Sequence, residues 1–195
     1  MSARKRHALP PADRLVAAAT DLFYQRGFNA VSVDDIVEAG QATKPTLYRR
    51  FQSKDNLGAA CLERLSLAEH GAWREIAEAA AGDPRAELVG FITHYAARIR
   101  APEFRGSAFT NAAAELISAD NPARQVAERF EAEVRAHVLD LCQRTGSAHP
   151  ELLADGLYLL LQGAAASRHF SASNVPSSSL MNAASMLMAA YLPPP

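Results

Sequence analysis

Apolar residues recur along this chain at steps of three and four, with no stretch of strict alternation, and that rhythm leaves room for helices alone. Leu15, Ala19, Leu22 and Phe23 make the first stripe. It is opened by Asp13 behind two prolines and closed by Gly27, with Phe28 placed to fold back on the helix end. A short second helix is expected after Ser32, because Ser32 and Asp35 stand at capping-box spacing and Ile36 and Val37 face inward. Thr43 caps a third helix, Lys44 to Arg50, with Pro45 in its first turn, where a missing amide hydrogen costs nothing. Ser53 caps a fourth, with Leu57, Cys61, Leu62 and Leu65 on its buried side. The sequence allows that helix to run on through Trp73 and Ile76 or to break at Gly71.

Longer stripes follow. They are Leu88–Phe91–Ile92–Tyr95–Ile99, then Phe109–Ala112–Ala113–Leu116–Ile117, then Val126–Phe130–Val134–Val138–Leu141. From Pro150 to Phe170 the chain is apolar nearly all round, as a helix buried on several sides would be. A serine-rich connection, Ser171 to Ser179, leads to a last stripe of Leu180, Ala184, Leu187, Met188 and Tyr191. The expected fold is all-α: a three-helix head over residues 1–54 carrying a helix-turn-helix, and a helical body over 55–195. The apolar excess of Leu152–Phe170 and Ser178–Tyr191 predicts a homodimer joined through those two helices as a four-helix bundle.

Charge is distributed unevenly. The first 54 residues hold nine basic and five acidic side chains, while the whole chain is at −1, so the head is basic and the remainder acidic. No apolar run reaches the length that crosses a bilayer; Leu157–Ala166 comes nearest and contains Gln162. The basic start has no apolar stretch behind it, so no secretory leader is expected. Two cysteines, Cys61 and Cys142, make neither a disulfide framework nor a zinc site, and a cytoplasmic location follows. Neither a nucleophile elbow, a zinc-helix motif nor a phosphate-cradling glycine loop is present, so no catalytic residue, metal or cofactor is expected.

The informative stretch is SVDDIVEAGQATKPTLYRRFQSKDNL, Ser32 to Leu57. A helix that enters the major groove needs small or hydrogen-bonding groups at its N-terminal end, an apolar anchor behind, and cations or phenols to hold phosphates. Thr43, Lys44, Pro45 and Thr46 meet the first need, Leu47 and Phe51 the second, and Tyr48, Arg49, Arg50 and Lys54 the third. Lys54 also opens a helix, where amides and dipole favour a phosphate. Competing readings make Tyr48 a half-buried ring and Arg49 and Arg50 solvated charges; Arg4, Lys5 and Arg6 are either a DNA-touching arm or a solubilising tail.

TLYRRFQSKDNL, preceded by SVDDIVEAG and by a first helix ending QRGF, resembles the TetR family of bacterial regulators over Leu15 to Leu62. The stretch FTNAAAEL, Phe109 to Leu116, resembles ligand-domain helices of some members. The resemblance implies a homodimer on a two-fold symmetric double-stranded operator, with a small-molecule effector bound in the body. It implies base or near-base contact by Thr43, Lys44, Thr46 and Arg49, and phosphate contact by Tyr48, Arg50 and Lys54. Effector binding would shift the fourth helix and spoil the spacing of the heads, making the protein a ligand-released repressor. One position departs from the pattern. The family places glycine two residues before Thr43, where this chain has Gln41, with Gly40 one residue early. Glutamine in a left-handed turn costs on the order of 1 kcal/mol more than glycine.

Polar groups on otherwise apolar faces of the body are the candidates for effector contact: His94, Asn111, Glu115, Gln162 and also His137. Trp73, Phe91, Tyr95, Phe109 and Tyr158 are the candidate walls. A satisfied core or interface role competes for each polar one, and is the reading taken for His137. Two other classes stay open at this point: a helical protein-interaction module, and a small-molecule carrier that does not bind DNA.

Overall fold

In the computed structural model, which describes residues 10–168, 170 and 175–194, the described residues form helices and no strands. The expected basic arm, Arg4, Lys5 and Arg6, and part of the serine-rich connection lie outside the described residues. In chain order the helices are α1 Pro11–Arg26, α2 Val33–Ala39, α3 Lys44–Phe51, α4 Lys54–Ala79, α5 Pro84–Arg100, α6 Ala108–Glu115, α7 Pro122–Arg144, α8 Pro150–Ser167 and α9 Val175–Tyr191. They divide into two compact units. The first is Met1–Leu67 with Ala108–Phe130; the second is Ala68–Ser107 with Glu131–Pro195. This division by packing is a different line from the functional boundary expected after Lys54: α4 packs with the head as far as Leu67.

In the first unit, Leu15, Ala18, Ala19 and Phe23 of α1, Ile36 of α2, Leu47 of α3 and Leu57, Cys61 and Leu62 of α4 are buried together. Phe28 folds back as expected and stacks on Phe23 with ring centres 4.4 Å apart. Gly58 makes room for it, since a Cβ there would stand 2.9 Å from the Phe28 ring. Helices α2 and α3, with seven and eight residues, are too short to hold themselves in water, so tertiary contacts must fix them.

Of the two courses the sequence allowed the fourth helix, it takes the first and runs unbroken through Gly71 to Ala79. One expectation changes. The stripe expected to include Ile117 ends earlier: α6 stops at Glu115, Leu116 is buried, and Ile117 is 86% exposed. The Arg124 guanidinium donates to the carbonyls of both Leu116 (2.9 Å) and Ile117 (2.7 Å), turning the chain outward before Asn121 caps α7. In the second unit α9 packs on α8 and α5, and Phe91, Ile92, Val138, Leu141, Leu153 and Leu157 are fully enclosed.

Candidate nucleic-acid interface

The interface begins with two caps. Ser32 opens α2 with a complete capping box. Its hydroxyl accepts from the Asp35 amide at 3.1 Å, and the Asp35 carboxylate accepts from the Ser32 amide at 2.8 Å. The Ser32 hydroxyl also donates to that carboxylate at 2.6 Å, and this bond, the Ser32 amide and Arg26 at 3.1 Å pull the Asp35 carboxyl down to about 2. Thr43 opens α3 from an extended backbone. Its hydroxyl oxygen lies 3.4 Å from the Thr46 amide and 3.0 Å from the Thr46 hydroxyl.

Leu47 alone of α3 is fully buried; Thr46 and Phe51 are half-buried. Lys44, Pro45, Tyr48 (47% exposed), Arg49 and Arg50 face outward, uncovered by the described chain. Arg49 and Arg50 form no ion pair among the described residues. Lys44 differs: its ammonium meets Asp34 at 2.7 Å, and that carboxylate's hydrogen bond and charge hold it above the usual lysine range.

The turn between α2 and α3 divides its two tasks between neighbours. Gly40 is right-handed (φ −83°) and provides closeness. A Cβ on it would stand 3.0 Å from the Ile36 carbonyl oxygen and 3.3 Å from Leu15 Cδ2. Gln41 carries the left-handed conformation, φ +47°, as its position in the motif required. Arg14 of α1 reaches this turn, with Nε donating to the Gly40 carbonyl at 3.1 Å and Nη2 to the Gln41 carbonyl at 2.9 Å. Sequence reasoning missed Arg14, since nothing local announces a bond across 26 residues.

Lys54, expected to hold phosphate, donates its ammonium to the carbonyls of Phe28 (2.9 Å) and Val31 (3.0 Å). Two of the three donors on that nitrogen thus position the α1–α2 turn, while Arg49 and Arg50 stand on the outer face and Lys44 is held by Asp34.

The candidate effector residues fall into groups, each with its own partners. In the second unit Trp73, Phe91 and Tyr95 join a run of rings, with Phe91 5.0 Å from Tyr95 and His137 lying parallel to Trp73 at 4.6 Å. Burial lowers the His137 pKa and pushes the Tyr95 phenol up. His94 meets buried Glu69 at 3.1 Å, and Arg98 bonds its other oxygen. Burial alone would raise Glu69; His94 and Arg98 outweigh it and hold the carboxyl below the usual range. Tyr158 donates to Glu131 at 3.2 Å, and the Gln162 amide donates to the same carboxylate oxygen. Phe109, Asn111 and Glu115 belong to the first unit. Phe109 stacks on Phe130 at 3.8 Å, Asn111 lines a cavity of about 20 Å³ with Tyr24 and Cys61, and the Glu115 carboxylate accepts from the Asn29 amide at 3.2 Å. The described residues hold no cluster of three or more side chains fit to bind a metal, and no helix long and apolar enough to cross a membrane.

Comparison with known proteins places this geometry. Residues 15–61 match the family model for bacterial regulatory proteins of the tetR family. The chain is 44% identical over 52 residues to the HTH-type transcriptional repressor ComR of Escherichia coli (strain K12). That match takes in 27% of this chain and only 25% of the relative. It is 28% identical over 162 residues to the HTH-type transcriptional repressor DhaR of Mycobacterium sp. (strain GP1), 80% of each. The fold is similar to the crystal structure of a TetR-family transcriptional regulator from Streptomyces coelicolor. There the TM-score is 0.86 at 25% identity, over 92% of this chain and 95% of that one.

Proposed function

We propose that the chain, whose residues 15–61 match the model for bacterial regulatory proteins of the tetR family, is a member of that family and a ligand-responsive transcriptional repressor, released from a two-fold symmetric operator by a small molecule. The observation that carries this reading is the outer face of α3. It is capped by Thr43, anchored by Leu47, and presents Lys44, Tyr48, Arg49 and Arg50 without cover from the described chain. An eight-residue rod of that kind fits the major groove by its N-terminal turn.

The roles divide accordingly. Thr43, Lys44, Thr46 and Arg49, with Pro45 beside them, meet base edges, and Tyr48 and Arg50 meet phosphate. Lys54 holds the scaffold. Residues 1–54 form the DNA-binding domain and 55–195 the effector-binding and dimerisation domain of a cytoplasmic homodimer. Exposed Leu152 and Leu159 of α8 and Met186 of α9 supply apolar surface for pairing two copies. Trp73, Phe91, His94, Tyr95, Tyr158 and Gln162 are the groups that meet the effector. The fourth helix has residues in both compact units, which makes it the natural element to carry an effector's influence to the head.

Titrating the protein against the DNA flanking its own gene tests the reading. Binding should be salt-sensitive and selective over random duplex, and Thr46→Ala should change which operator bases are preferred. Absence of selective binding up to micromolar protein would remove the assignment.

A further inference from the structure

The turn before α3 combines a cost with a device that meets it. Gln41 carries a Cβ at φ +47°, a conformation that favours glycine. Its amide bonds Glu38 O at 3.1 Å and the next amide bonds Val37 O at 2.9 Å, so the turn is closed as a short reverse on α2. Its outward carbonyls, those of Gly40 and Gln41, both accept from one guanidinium, that of half-buried Arg14. Charge-assisted bonds from a rigid planar fork fix the direction of two successive peptide planes at once. Three residues later α3 begins, so the direction of those planes sets where Thr43, Lys44 and Thr46 are presented.

We propose that Arg14 is a positioning residue for DNA reading, holding the Gly40–Gln41 turn in its left-handed form so that α3 is presented in one orientation. The proposal rests on α3 being the reading element for its effect on DNA, but not for its effect on the turn. Arg14 touches no base in this account; it acts through Gln41.

The test compares the full-length wild type with Arg14→Met, Gln41→Gly and the double variant. Methionine keeps the stem and removes the fork, and glycine removes the penalty that the fork offsets. Amide exchange of Gln41 and Ala42 should speed up on the order of five- to thirtyfold in Arg14→Met, the range set by a left-handed residue's penalty. It should return to within about twofold of wild type in the double variant. Preference for operator over random duplex should fall and recover in the same order, with random-duplex affinity steady throughout. A structural residue elsewhere in the head would not be rescued by glycine at position 41. Unchanged exchange in Arg14→Met, or a double variant as fast as the single, overturns the proposal. A wild type with no operator preference would instead remove the function proposed above, leaving exchange to decide the role of Arg14.

Discussion

The first unit and the ring cluster of the second contain similar materials, capped helices with ionisable groups between them, and use their charges differently. In the head, Arg14 and Lys54 bond main-chain carbonyls. In the second unit, Glu69, Glu87 and Glu131 are met by other side chains: His94 and Arg98, Arg144, and Tyr158 and Gln162. A cation on a carbonyl dictates the path of the chain, and helices of seven and eight residues need that instruction. An ion pair between long helices selects how they face each other, while buried rings supply most of the cohesion.

The contrast can be broken at its strongest point first. Phe91 is wholly enclosed among Trp73, Tyr95 and His137. Its replacement by alanine should cost about 3–5 kcal/mol in denaturant unfolding. A loss below about 1 kcal/mol would mean that rings do not hold this unit together.

Lys54→Met comes next. Removing a charged donor from two carbonyls should cost about 2 kcal/mol of head stability and weaken operator binding, while the slope of log affinity against log salt stays as it was. Arg50→Ala should do the reverse, leaving stability near wild type and lowering that slope by roughly one unit. If Lys54→Met flattens the salt dependence as Arg50→Ala does, the ammonium is a phosphate contact after all and the division between path-fixing and outer cations fails.

Glu69 gives the smallest effect. Its folded pKa lies below the ordinary 4.5, so the stabilisation it brings is complete above that value and fades as pH falls through the lower, folded one. Thermal unfolding of the wild type should therefore weaken on acidification below about pH 4.5, and Glu69→Gln should show less of that loss. Parallel acid limbs for the two proteins would show that the His94 and Arg98 contacts do not stabilise the ionised form.

These comparisons also mark what the residues could tell in advance. The capping box of Ser32 and Asp35, the Thr43 cap and the Leu47 anchor were legible because each is written within three or four positions, where helix geometry alone brings the partners together. Arg14 and Lys54 were legible as charges but not as clamps, since their carbonyl partners stand 23 to 27 residues away and every residue offers a carbonyl. Glu115 met the same limit: its Asn29 partner is 86 residues distant. Ile117 kept the right spacing for a stripe, but periodicity cannot see Arg124 capturing two carbonyls and ending the helix's reach.

Leu47 alone is fully enclosed among the eight residues of α3. Lys44, Pro45, Tyr48, Arg49 and Arg50 stand exposed, so exchanging them draws little on the stability of the head. Recognition can thus drift, or be re-engineered, along a rod whose seat stays fixed. A library randomised at those outward positions over an unaltered Arg14, Gly40, Leu47 and Lys54 would be a set of heads that fold alike and differ in the sequences they address.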